Sequence, residues 1–481
     1  MRVLPDHKLS IVLVFFALVV SVRYFLGGVV TNWNEKIEVV EKPDRPYASH
    51  VVVEPGAGYF YTWGITASPR SKTVALKGLP DEERYGDTYT QSHRVLTTLT
   101  SDLKQVGLTL RDVVNVRAYV VGNDEEPPDF DGWNRAFTEF FGTPDNPHKP
   151  ARTTVGISRL FISQYKIEVE FVAVFPEGRG PFAEGTRHWL DWERSGRHVY
   201  ETREIWKSYG RPGFPMSTGK AVDEGQGYFY SSAFLPDTKF PMPPGMPVNP
   251  MMFGSFSDQA ASILKKMNTA FRSGGVSYED IFFVRTIMFP EKGRPIGPNF
   301  GRFGREYVKY FTNDSNPNKP TRTVMSAPGY ASMGPLMSLE MYGALPDDFD
   351  AFEEGAHIAI LGKPDAISAP AVGVSPDANK VWFSGVIAPT EGSLTEEFNA
   401  VWTATMEALD AAGATFEDMV HTRIYLETTH VKNDTDALKK ALETVIKASG
   451  SIHRPALTVL PIVDLPGGAR IEIETMAGVR P

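Results

Sequence analysis

The strongest constraint on this chain is that it repeats itself. GLTLRDVVNVRAYV (107–120), GVSYEDIFFVRTIM (275–288) and GATFEDMVHTRIYL (413–426) align without a gap. A self-similar sequence builds one supersecondary unit several times, and the copies must bury their apolar faces against one another. Other parts recur in the same order around this block. GYFYTWGITA (58–67), GYFYSSAFLP (227–236) and KVWFSGVIAP (380–389) are aromatic and β-branched runs bounded by Gly or Pro, which predicts strands. A helix is expected after each, at about 88–105, 257–273 and 395–411. In the third, Phe398, Trp402, Met406 and Leu409 fall on one apolar stripe. Gly107, Gly275 and Gly413 stand where a left-handed C′ residue closes a helix.

A second helix (about 131–141, 301–311 and 435–448) leads into HKPARTTV, NKPTRTV or HRPALTV. The copies end on KIEVEFVAV (166–174), LMSLEMYGA (336–344) and RIEIETMAG (470–478). Each copy therefore reads as hairpin, helix, strand, helix and two strands. The modules are bounded at 36–176, 195–346 and 357–481, with residues 1–35 before them and linkers at 177–194 and 347–356. A proline-rich run, PDTKFPMPPGMPVNP (236–250), reads as a loop inserted in the second module.

The net charge of −9 argues against a nucleic-acid surface, which needs a concentrated basic patch. With no cysteine, thiolate nucleophiles and cysteine-ligated metals are excluded. The ten histidines are scattered without an HExxH pattern, so no metal site is expected. No GxSxG, Walker A or GxGxxG context occurs, and STGKA (217–221) lacks the flanking residues of a phosphate loop.

Residues 9–30 (LSIVLVFFALVVSVRYFLGGVV) are almost wholly apolar. As a helix they would rise about 33 Å, enough to cross a hydrocarbon core of roughly 30 Å. The expectation is a single N-terminal membrane anchor with the body exported, in a bacterial cell to the periplasm. A cleaved signal peptide is the rival reading, because Ile11 to Val22 has the length of an h-region.

The third module, from AHIAILGKPDAISAPAVGV through WFSGVIAP and GATFEDMVHTRIYL to RPALTVLPIVDLPGGARIEIETMAGVR, resembles a complete member of the RidA/YjgF family. The other two resemble it more distantly. The resemblance implies a chorismate-mutase-like α+β fold. Family members assemble as homotrimers with a central barrel, outer helices and a cleft between neighbours. Three modules in one chain then imply an intramolecular pseudo-trimer, here with a transmembrane helix before it.

Strand periodicity turns Arg117, Arg285 and Arg423 inward, and Glu170, Glu340 and Glu474 recur in the last strands. Buried arginines need counter-charges, so a ring of structural ion pairs is expected, with an axial ion path or ligand site as the alternative. Val114, Val116, Ala118 and Val120 should meet the helices.

The resemblance further implies which residues act. The arginine of the RPxxT-like phrase binds a substrate carboxylate in the family, and a last-strand glutamate orients water for the hydrolysis of 2-imino acids to 2-keto acids and ammonia, with no cofactor. Arg152 and Arg322 match the arginine, and Leu457 replaces it in the third copy. Glu168, Ser338 and Glu472 occupy the glutamate position. The strand-end Ser-Gly is Ser384-Gly385 in the third module, Trp63-Gly64 in the first and Ser232-Ala233 in the second. The second-helix asparagine is Asn134, and the family tyrosine finds no match at Ala371.

Counted copy by copy, only the first module keeps both Arg152 and Glu168, which makes them the candidate catalytic pair. Asn134, Arg322, Ser384 and Gly385 are the candidate binding residues. Two functions follow. One is a non-catalytic accessory subunit giving a membrane-protein complex a rigid body. The other is an imine or enamine hydrolase, or a binder of small carboxylates, using one cleft.

Overall fold

The computed structural model describes residues 30–31, 34–41, 47–67, 81–123, 126–160, 164–177, 198–203, 206–210, 219–240, 250–289, 297–327, 335–346, 349, 352, 356–361, 369, 371–388, 392–427 and 435–480. Among the described residues, and besides a single short turn of helix at Asp81–Tyr85, six helices carry the outer layer: α1 (Thr88–Gln105), α2 (Phe130–Thr138), α3 (Phe256–Ser273), α4 (Gly297–Tyr307), α5 (Leu394–Ala411) and α6 (Thr435–Ala448). Capping residues set the starts of the long ones. Ser255 with Asp258 and Ser393 with Glu396 form capping boxes, and Asp87 accepts from the Thr90 amide. Gly107, Gly275 and Gly413 then reverse the chain at φ of 79°, 80° and 72°.

Three mixed sheets lie inside the helices. Each central strand (Val113–Val121, Ile281–Met288, Met419–Glu427) runs parallel to the strand of the Arg152, Arg322 or Leu457 phrase and antiparallel to the last strand. Each sheet is completed by the next copy. Ala48–Val53 of the first module pairs with Asn379–Phe383 of the third, Gly219–Val222 of the second with Tyr59–Thr62 of the first, and Ala371–Val374 of the third with Tyr228–Ser231 of the second. Strand exchange therefore links all three modules in a closed cycle.

Facing side chains from the three sheets fill the axis in layers. Tyr59, Tyr228, Tyr61, Tyr230 and Trp382 belong to one buried cluster, and Tyr119, Ile287 and Tyr425 to another. A separate apolar cluster lies between each of the three sheets and its helices. Lys380 enters the aromatic layer where the other copies have Tyr59 and Tyr228. Its ammonium lies 4.8 Å from the Tyr228 ring centroid and 5.7 Å from that of Tyr59. Burial lowers its pKa to about 7.

Two expectations fail. Val116, Ala118 and Val120 meet the helices, but Val114 joins the axial cluster. A register shift between Val113 and Asn115 reverses the facing there, as a β-bulge does. The second concerns the membrane. Among the described residues no helix is long and apolar enough to cross one. Val30, the last residue of the expected span, is in a strand paired with Val40, and the rest of 9–30 lies outside the described residues. The transmembrane anchor, and the membrane-bound periplasmic localisation built on it, are withdrawn.

Candidate functional site

The inward charges meet as a ring. Arg117 bonds Glu474 through Nε (2.6 Å) and reaches Glu170 at 3.3 Å. Arg285 pairs with both Glu170 and Glu340. Arg423 closes the circuit to Glu340 at 3.1 Å and to Glu474 at 2.8 Å. Each arginine thus joins its own module's glutamate to a neighbour's. All six side chains are buried, so good geometry and extra hydrogen bonds must offset desolvation. Thr323, Thr458 and Tyr425 hydroxyls donate to Glu170, Glu340 and Glu474 respectively. Burial alone would raise the Glu170 and Glu474 carboxyls, but the adjacent guanidinium groups hold both below the usual range. The ring uses its charges on itself.

The cleft residues are sorted by the exchange of strands. Arg152 is the second residue of the edge strand Ala151–Ile157, so it borders the neighbouring module instead of its own last strand. The Arg152 amide donates to Ser384 Oγ at 2.9 Å, the Ser384 hydroxyl donates to the Ala48 carbonyl at 2.6 Å, and the Gly385 amide donates to the Arg152 carbonyl at 3.3 Å. Glu472 lies against Gly385, where a Cβ would fall 1.6 Å from its Oε1. Arg152 therefore faces Glu472, and the expected pairing of Arg152 with Glu168 is corrected: the two stand at different interfaces between modules.

The Arg152 guanidinium is enclosed by aromatic rings. Its Cζ is 4.5 Å from the Tyr47 centroid, 4.7 Å from Phe137 and 6.0 Å from Trp133, and the residue is 8 % exposed. Trp133 and Phe137 stand one turn apart on α2, and Asn134 beside them has a buried Oδ1 with no hydrogen-bond partner among the described residues. Tyr47 was missed in the sequence. It follows Pro46 as Ala371 follows Pro370, so comparison of the copies would have found it. Burial, helped by the negative Glu474, pushes the Glu472 carboxyl well above the usual range, while Arg152 opposes. Its Oε2 has no hydrogen-bond partner among the described residues.

Glu168 instead lies beside Gly64, where a Cβ would fall 1.7 Å from its Oε1, and it accepts a backbone hydrogen bond from Val324. Its neighbour across the interface is therefore the Arg322 strand. Burial and then the charge of Glu170 push Glu168 up to about 8, against Val324 and Arg285. Arg322 is stacked near Tyr307 (5.0 Å) and Phe303 (5.4 Å) of α4, as Arg152 is on α2. Its Nε and Nη1 have no hydrogen-bond partner among the described residues.

The third interface lacks both charged side chains. Leu457 replaces the arginine and packs in the apolar cluster with Leu442 and Ile446 of α6. Its amide still donates to Ser232 Oγ at 2.7 Å, so the backbone strut survives. Ser338 replaces the glutamate, and Ala233 replaces the glycine that made room for it. Arginine, glutamate and glycine are thus kept together at two interfaces and absent together at one.

A family model described as Endoribonuclease L-PSP matches residues 72–175 and 369–479. A RutC family protein of Pyrococcus abyssi is 30% identical over 136 residues, covering 28% of this chain and 91% of that protein. A RutC family protein of Pyrococcus horikoshii is 29% identical over 136 residues, covering 28% and 92%. Among solved structures, a Mycobacterium tuberculosis member of the YjgF/YER057c/UK114 family is 23% identical, with a TM-score of 0.18, covering 27% of this chain and 86% of that one.

Proposed function

We propose for this chain, which belongs to the RidA/YjgF family, the hydrolysis of small 2-imino acids at the cleft between its third and first modules. The observation that carries this reading is the meeting of Arg152, Tyr47, Ser384-Gly385 and Glu472 across one interface. A guanidinium offers two parallel N–H donors to a carboxylate and fixes its plane. Glu472, whose carboxyl burial pushes well above the usual range, suits a group that passes a proton between an attacking water and the departing nitrogen. Water adds to the imine carbon, the C–N bond breaks, and ammonia and the 2-keto acid leave. The Arg322–Glu168 interface is a second site of the same class, with Trp63 in place of the serine.

The non-catalytic scaffolding reading drew its support from site-poor modules and from an anchor. Sorted by interface, two of three clefts carry both charges, so that reading ranks second. The family description also names a ribonuclease, but a net charge of −9 and an enclosed Arg152 suit a small anion better than a polynucleotide.

The test is a double-mutant cycle on ammonia release from 2-imino acids generated in situ. Residues of one site are non-additive and residues of separate sites add. Arg152→Ala with Glu472→Gln should therefore cost little more than either alone, whereas Arg152→Ala with Glu168→Gln disables both sites, so the two losses of rate should sum and leave almost no hydrolysis. Hydrolysis absent from the wild-type chain, or unchanged when all four charged residues are replaced, would refute the proposal.

A further inference from the structure

One concavity of the third module has a lining that shares no residue with either charged interface. It is a groove of about 400 Å³ between the exchanged hairpin of the first module and the C-terminal end of α5. Val52, Val381 and Val479 lie in its apolar floor, and its rim carries Glu35, Glu38 and Glu54 against one base, Arg480.

The second module has the same place filled. Phe349 and Phe352 pack onto that module's core with their rings edge to face at 5.4 Å, and the Phe349 ring comes within 3.5 Å of the Cβ position of Gly275. At the matching Gly413 nothing among the described residues lies within 4 Å. The floor also differs. Phe229 and Leu345 of the second module correspond to the smaller Val381 and Val479 in the strand alignment. The rims differ in charge. Ile358 pairs with Val374 as Ile37 pairs with Val53, which sets Ala359 and Ser375 opposite Glu38 and Glu54. The segment bearing Phe349 and Phe352 reads DDFDAFEE (347–354) and is strongly acidic. A neutral rim accepts it, and a rim with three glutamates would repel it.

We propose that the groove beside Gly413 docks a partner protein's short peptide segment, in which an aromatic side chain is flanked by lysine or arginine. The aromatic ring fills the space that Phe349 fills in the second module, and the flanking cations meet Glu38 and Glu54. This inference is independent of the hydrolytic reading.

Fluorescence anisotropy of labelled peptides on the full chain tests it. The probes are a phenylalanine peptide flanked by lysines, its alanine counterpart, and DDFDAFEE itself. The lysine–phenylalanine probe should bind, with affinity falling as salt rises. The other two should bind at least tenfold more weakly. Glu38→Gln with Glu54→Gln should weaken the first probe about tenfold, and Val479→Phe, which fills the floor, should abolish its binding. Circular dichroism would establish that both variants fold. Equal binding of all three probes, or binding unaffected by these variants, would overturn the proposal. So would binding that appears only once residues 1–29 are removed, since the chain itself would then be the occupant.

Discussion

Replacing Arg285 by methionine is the sharpest probe of the charge ring. Arg285 is fully buried and bridges Glu170 and Glu340, so its loss leaves the ring one negative charge in excess. Breaking a buried pair from one side costs about 3–5 kcal/mol. Here each stranded carboxylate retains an arginine, Arg117 at 3.3 Å and Arg423 at 3.1 Å, and a threonine hydroxyl. The lower end, about 3 kcal/mol, is therefore expected. That is more than a hundredfold in the folding equilibrium. Adding Glu340→Gln restores neutrality and should recover at least half of the loss, although it removes another buried group. Guanidinium denaturation followed by tryptophan fluorescence and far-UV circular dichroism measures both variants, with an unchanged slope marking an unchanged surface of unfolding. A single variant within about 1 kcal/mol of wild type, or a double variant less stable than the single, would refute the idea that alternating charge holds the ring.

Three further outcomes are expected. The folded-state pKa of Glu168 is raised to about 8, so the folded chain keeps a proton that the unfolded chain releases near 4.5, and stability falls as pH rises across that window. Glu168→Gln removes this loss, and its denaturation midpoint should overtake that of wild type between pH 5 and 8; a constant difference would contradict the burial argument. Leu457→Arg places a cation among Leu442 and Ile446 without a glutamate at Ser338, and should cost about 3 kcal/mol or more while creating no carboxylate binding by calorimetry. Gly385→Ala should fold yet displace Glu472, lowering hydrolysis without adding to the loss from Glu472→Gln, whereas a fully active Gly385→Ala would show that the Gly385–Glu472 contact does not matter.

Much of the fold is visible in the sequence because it depends on local periodicity. The alternation around Arg117 turns it inward in every copy, and the glycines after α1, α3 and α5 mark where each helix must stop. The bulge at Val114 was not visible, because one extra residue in a strand leaves the apolar pattern looking continuous. The clefts were misread for a different reason. Arg152 and Glu168 share a copy, so proximity in sequence suggested one site, while edge-strand placement hands Arg152 to the next module. Tyr47 reaches that cleft on an exchanged hairpin, so its relevance depends on a partner near the other end of the chain.

Strand exchange also sets the order in which the molecule can be made. The hydrogen bond from Ser384 to Ala48 spans 336 residues, and Arg117 meets Glu474 across 357. Contacts of such long range close late and slowly, because chain entropy must be surrendered before they form. During synthesis the strand Ala48–Val53 waits, with one edge open, until Asn379–Phe383 emerges. An open edge is a template for pairing with another chain. At high concentration that hairpin can close on the third module of a second molecule, so crowded refolding should yield linked dimers where dilute refolding yields monomers.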